Sequence, residues 1–161
     1  MDIYEYAMQM EKDGENFYRE LVTKTDNSGI RRIFLMLADA EVMHYNTFTK
    51  MKSDQKIDLP DTSILKDVKN IFIELREAGE LSNLKISQIE LYKKAQEIEK
   101  RSEEFYLKEA DEVQDEAKKQ TFRRIAGEES KHYFILENII NFVSSPEQWN
   151  ESAEWYHLEE Y

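Results

Sequence analysis

Displaced by 88 residues, this sequence lies over itself without a gap. The identical pairs are Tyr4/Tyr92, Ala7/Ala95, Glu11/Glu99, Lys12/Lys100, Glu15/Glu103, Phe17/Phe105, Tyr18/Tyr106, Phe34/Phe122, Ala38/Ala126, Glu41/Glu129, His44/His132 and Tyr45/Tyr133. An internal repeat of this length is one supersecondary unit used twice, and a unit that cannot bury its own apolar face must bury it against its copy. The chain therefore reads as two helical hairpins packed on each other.

The spacing within each unit supports helices. Apolar residues recur at steps of three and four from Ile3 to about Val22, stopping at the turn-rich Thr25-Asp26-Asn27-Ser28-Gly29. A second helix is predicted from about Ile30 to Met51, with Phe34, Leu37, Ala38, Glu41, His44, Tyr45 and Phe48 along one stripe. The repeat predicts a third from about Ser87 to Asp111. The fourth carries Phe122, Ile125, Glu129, His132, Tyr133, Leu136 and Ile139 to Val143 and is ended by Ser145-Pro146. Between the units, Lys52 to Leu84 is a crossover: Pro60-Asp61-Thr62 has the character of a turn and cap, Ile64 to Ala78 of a shorter amphipathic helix, and Gly79 of its stop. With only four Gly and two Pro in 161 residues, an all-α four-helix bundle over residues 1–144 is expected. Residues 145–161, with Trp149, Trp155 and five acidic side chains, are expected to pack on the bundle or on a partner subunit.

Charge and cysteine content narrow the chemistry. A net charge of −12 without a basic run argues against nucleic acid or an anionic membrane as partner. No segment approaches the ~18 consecutive apolar residues of a spanning helix, and the first residues do not resemble a signal peptide, so a cytoplasmic location is expected. The absence of Cys removes disulfides, thiolate catalysis and Cys-ligated metal sites. Any metal must be held by Glu, Asp and His.

The repeat places such residues on the inward stripes. Matched apolar positions are what any two-hairpin bundle needs, but matched acids on a buried face are not: an isolated carboxylate in a dry core costs several kcal/mol or is forced to protonate. Here four would be buried with two imidazoles beside them, and a cation should compensate. Glu41 and His44, like Glu129 and His132, are three apart and share a helix face; with one further Glu from each of the other two helices they match the ligand set of carboxylate-bridged two-metal bundles. Four carboxylates offset two divalent ions, and mixed carboxylate and imidazole donors suit iron or manganese, with zinc a possible substitute. Glu128 rivals Glu129, but its repeat partner is Ala40, whereas Glu129 matches Glu41. On the first and third helices periodicity leaves two choices open, Glu11 with Glu99 or Glu15 with Glu103. Tyr18 and Tyr106, two turns beyond Glu11 and Glu99, are placed to donate to a ligand carboxylate or to fill the core. Tyr45 and Tyr133 are expected to pack between helices, and His157 to lie on a surface or interface.

The segments Met10-Glu11-Lys12-Asp13-Gly14-Glu15-Asn16-Phe17-Tyr18 and Ile98-Glu99-Lys100-Arg101-Ser102-Glu103-Glu104-Phe105-Tyr106, with Glu41-Val42-Met43-His44 and Glu129-Ser130-Lys131-His132, resemble the rubrerythrin family of ferritin-like proteins. The resemblance runs from residue 2 to about 143, and the ending Trp149 to Glu160 also looks like that of single-domain members. It implies that the ligands seven residues before each Tyr are Glu11 and Glu99, that the cofactor is a di-iron centre, and that Glu11, Glu41, Glu99 and Glu129 take part in catalysis. The implied activity is reduction of hydrogen peroxide to water under oxidative stress, with ferroxidase activity using dioxygen or peroxide as the alternative and a metal-free interaction module as a third reading. A homodimer is also implied, its hairpins paired within one chain or exchanged between two. Two departures stand out. There is no Cys for the rubredoxin-type centre that feeds electrons in full-length members, so an external donor is expected. Ser102 stands three residues after Glu99, where the family has a further carboxylate.

Overall fold

The turn cluster after the first helix acts through its side chains. Thr25 is extended, and Asn27 accepts the Ile30 N–H at 3.0 Å, so a new helix begins at Ser28 rather than at Ile30. Asp2 caps the first helix through the Glu5 N–H at 2.8 Å, and Asp115 accepts the Lys118 N–H at 3.0 Å where the last one starts. The computed structural model describes residues 2–60, 62–79 and 88–144. Among them the chain forms five helices and no strand: α1 (Ile3–Lys24), α2 (Ser28–Lys52), α3 (Ile64–Glu77), α4 (Ile89–Glu112) and α5 (Glu116–Ser144). Ser87 and the segment holding Trp149, Trp155 and His157 lie outside the described residues.

The two hairpins are α1–α2 and α4–α5. Each is closely packed along its length, and together they make the four-helix bundle that the repeat requires. The all-α, ferritin-like expectation holds. The cap of α3 differs from the expected one. Ser63 precedes the helix without a capping bond and donates instead to Asp67 Oδ2 at 2.9 Å, while Thr62 turns toward α5, donating to Glu128 Oε2 at 3.2 Å. Gly79, at φ +69°, stops α3 as expected, because a left-handed position after a helix favours a residue without Cβ.

Aromatic pairs repeat the symmetry in space. Tyr4 of α1 stacks on Phe122 of α5 with centroids 6.0 Å apart, and Tyr92 of α4 meets Phe34 of α2 at 5.4 Å. The 88-residue shift converts one pair into the other, so each contact joins opposite repeats around an approximate two-fold relation. The apolar interior falls into two clusters. One includes Phe34, Leu37, Leu136 and Ile139 with the buried face of α3; the other includes Phe48, Met51, Tyr106, Phe122 and Ile125. The crossover helix thus belongs to one end of the bundle only. Its anchor is Phe72, fully buried and 5.1 Å from the Phe142 ring. Phe72→Ala should destabilise the protein by about 3–5 kcal/mol in urea unfolding; a loss below about 1 kcal/mol would show that α3 adds little to the core.

Candidate metal centre

Between the two apolar clusters lies a polar layer supplied by four helices. Glu11 comes from α1, Glu41 and His44 from α2, Glu99 from α4, and Glu129 and His132 from α5. None is more than 3% exposed. Each lies on its helix's apolar stripe, so the packing that buries Phe34 and Phe122 also buries the acids.

The imidazoles reach across the repeat boundary. His44 Nδ1 is 2.9 Å from Glu129 Oε1 and 3.4 Å from Glu11 Oε2; His132 Nδ1 is 3.3 Å from Glu41 Oε1 and 3.4 Å from Glu99 Oε1. The rings lie 5.9 Å apart and nearly parallel, with 15° between their planes. These atoms are close without being aligned as hydrogen bonds. Glu11 Oε2, Glu41 Oε1, Glu99 Oε2, Glu129 Oε1, His44 Nδ1 and both His132 nitrogens have no hydrogen-bond partner despite complete burial. Buried polar atoms are rarely left so, and a convergent set of donor atoms is the arrangement a cation satisfies.

Two groupings meet the distance requirement for an ion, with candidate ligand atoms all within 4.8 Å of one another: Glu11, Glu41, His44 and Glu129, and Glu41, Glu99, Glu129 and His132. Glu41 and Glu129 occur in both. The geometry is that of two adjoining sites sharing two carboxylates, each completed by one Glu and one His of its own. The donor set of carboxylates and imidazoles fits iron.

The tyrosines follow the same crossed pattern. Tyr106 donates its hydroxyl to Glu11 Oε1 at 2.7 Å, and Tyr18 donates to Glu99 Oε1. Burial, then the charges of Glu99 and Glu41 around Tyr18, and of Glu11 and Glu129 around Tyr106, push both phenols well above their ordinary range. They stay protonated and act as donors.

The rivals are settled by where they point. Glu15 is half-buried and turned to its own helix's cations, paired with Arg19 Nε at 2.7 Å and Lys12 Nζ at 3.2 Å; Glu103 lies 3.7 Å from Lys100 Nζ. Glu128 turns away to Lys131 Nζ at 3.3 Å and to Thr62. Tyr133 departs from expectation: it is 38% exposed on the outer face of α5, because it falls one position past the inward stripe that carries His132. Tyr45 is half-buried. Gly14 is the residue that sequence reasoning missed. A Cβ there would lie 3.0 Å from Glu41 Oε2, so the missing side chain makes room for a shared carboxylate. The signal was present in the repeat, where Gly14 pairs with Ser102, a second small residue in a helix of large ones.

The sequence model of the Rubrerythrin family matches residues 2–140, a span holding all six residues of the layer. No curated protein and no solved structure matches the chain.

Without a cation the layer is electrostatically frustrated. Burial, then the charges of Glu11 and Glu99, pushes Glu41 well above the usual carboxylate range; burial and the charges of Glu11, Glu41 and Glu99 do the same to Glu129. Burial also opposes ionisation of Glu99, but His132, the neighbouring Glu129 carboxyl and the Tyr18 hydroxyl outweigh it and hold Glu99 down to about 2. Glu11 is lowered in the same way, burial being outweighed by His44 and Tyr106 among others. A carboxylate raised on folding loses stability as pH rises above its unfolded value, at about 1.4 kcal/mol per pH unit until the folded group titrates. A carboxylate lowered on folding loses it as pH falls below that value. The layer's contribution to the metal-free protein should therefore peak near the ordinary Glu range and decline toward neutrality. Glu41→Gln, which removes the raised group, should stabilise the metal-free protein at pH 7 by about 1 kcal/mol or more in thermal unfolding. An unchanged or lower midpoint would contradict this account of the layer.

Proposed function

The chain belongs to the rubrerythrin family, and from that premise we propose that it is a non-haem di-iron protein reducing hydrogen peroxide to water with electrons from an external donor. The observation that carries this reading is the pair of ligand groupings joined through Glu41 and Glu129. Glu11 with His44 would hold one ion, Glu99 with His132 the other, and the two shared carboxylates both. Iron bound there supplies the two electrons that, with two protons, turn one hydrogen peroxide into two waters.

The protein's own part is positioning and charge. Four carboxylates balance two ferrous ions, so loading relieves the frustration of the buried layer. Tyr18 and Tyr106, protonated and buried, orient Glu99 and Glu11 through the oxygens they donate to. The surrounding aromatic clusters keep bulk water from the layer. All six residues converge within one chain, so exchange of hairpins between subunits is not needed to complete the cluster. A homodimer using a rubredoxin-like or other reductase as donor is the assembly we propose. Among the described residues no helix is long and apolar enough to cross a membrane.

A second reading, ferroxidase activity on ferrous iron with dioxygen or peroxide, is favoured by the net charge of −12, which concentrates cations near the surface. Reconstitution with ferrous iron should yield about two ions per chain and an oxo-bridged diferric spectrum after oxidation. Glu41→Ala should abolish this stoichiometry. Stopped-flow reoxidation of the diferrous protein should be faster with hydrogen peroxide than with dioxygen. Comparable or faster reaction with dioxygen would move the assignment to ferroxidase, and fewer than about one ion per chain, unaffected by Glu41→Ala, to a metal-free bundle.

A further inference from the structure

The six residues of the polar layer are almost wholly buried, yet its proposed chemistry needs a small molecule to reach it. Resting on that reading of the layer, we propose that the pocket between α1 and α4 is the route by which a small uncharged oxidant, hydrogen peroxide or dioxygen, reaches the buried carboxylates, with Ser102 forming its inner end.

The pocket has a volume of about 370 Å³, well above the roughly 30 Å³ share of a water molecule in the liquid. Its walls include Met10 and Ile98, the residues immediately before Glu11 and Glu99. Ser102 lines it as well, although only 4% of that residue is exposed. One helical turn beyond Glu99, Ser102 belongs at once to the inward stripe of α4 and to the pocket wall. Its counterpart under the repeat is Gly14, where a Cβ would come within 3.0 Å of Glu41 Oε2. This register thus brings the α1 backbone against a shared carboxylate, and a large side chain in the same register on α4 would fill the end of the pocket. The seam itself is the looser kind, since α1 and α4 belong to different hairpins and pack less extensively than either does with its own partner.

Charge at the mouth favours an uncharged visitor. Lys94 and Arg101 face Asp13 and Glu97 around the opening, two of each sign, so neither a ferrous ion nor an anion is drawn in by net attraction. A second pocket of about 430 Å³ lies on the α4–α5 side; Ser102 does not line it, and the nearly buried Gln96 does. The Gln96 amide donates to Glu137 Oε2 at 2.7 Å and to the Tyr133 carbonyl at 3.3 Å, tying the two helices together there.

The test is to plug the α1–α4 pocket and follow the iron-loaded protein. Ser102→Leu fills the inner end; Met10→Trp fills the pocket from a partly exposed position and decides the matter should Ser102→Leu fail to fold or load. Leu35→Trp, on the exposed outer face of α2, is the control for a bulky substitution. Iron content is measured first, then nitric oxide association with the diferrous protein, then oxidation by hydrogen peroxide and by dioxygen separately. Plugged variants with normal iron content should show association slowed by at least about tenfold, with Leu35→Trp at the wild-type rate. A slowing confined to one oxidant would identify which molecule uses the route. Wild-type rates of nitric oxide binding and of both oxidations in an iron-replete plugged variant would overturn the proposal. Failure of the unsubstituted protein to bind iron would instead overturn the reading of the layer, and this route with it.

Discussion

Burial of four carboxylates and two imidazoles in one layer is the constraint on which the rest of the structure depends. Carboxylates without solvent or partners are costly in a protein interior, and here burial has left seven of the layer's nitrogen and oxygen atoms unpaired. The fold tolerates this because the layer is flanked by two well-packed apolar clusters, one containing Tyr18 and the other Tyr106. These clusters drive the helices together, and the charged layer is carried in with them. A divalent pair converts the same layer from a liability into a link between four helices, which couples the metal reading to stability as well as to chemistry.

The contacts around the layer are crossed. His44 meets Glu129 and His132 meets Glu41; Tyr18 donates to Glu99 and Tyr106 to Glu11; Tyr4 stacks on Phe122 and Tyr92 meets Phe34. In every case the partner lies in the other repeat, so neither hairpin has a site by itself. The two groupings come into existence only when the copies pack, and the shared residues, Glu41 and Glu129, are contributed one by each copy. Duplication therefore offers more than a doubled core: it sets two half-sites face to face across the approximate two-fold relation. The symmetry is broken where function can use it. The crossover helix α3 covers one apolar cluster and not the other, and Gly14 and Ser102 give the two halves different small residues beside the layer.

Much of this was legible in the residues before any coordinate. The helices, the repeat, the inward stripes and the choice of Glu129 over Glu128 follow from spacing, because a helix repeats its face every three to four residues whatever surrounds it. Helix ends were less legible. Ser28 rather than Ile30 starts α2 because the Asn27 side chain captures a backbone N–H, and Thr62 leaves the start of α3 for a contact on α5, a choice that depends on a partner distant in sequence. Tyr133 was misjudged because an aromatic next to a ligand looks internal in a list of residues, whereas one step along a helix turns a side chain by about 100°.

By itself the sequence determined the all-α architecture, the membership of two repeats and the residue types able to hold a metal, since all three rest on local periodicity and on which side chains carry donor atoms. On periodicity it favoured Glu11 over Glu15, and Glu99 over Glu103, only weakly, because residues four apart share a helix face. Tertiary packing decided between them: Glu15 and Glu103 are half-buried and pair with exposed cations on their own helices, while Glu11 and Glu99 each meet the histidine of their own hairpin and the tyrosine of the other. Packing also decided which carboxylates are shared, how close Gly14 stands to Glu41, and that an opening remains beside Ser102. Those are properties of distances between helices, and distances between helices are set by how two surfaces fit, which no single stretch of sequence contains.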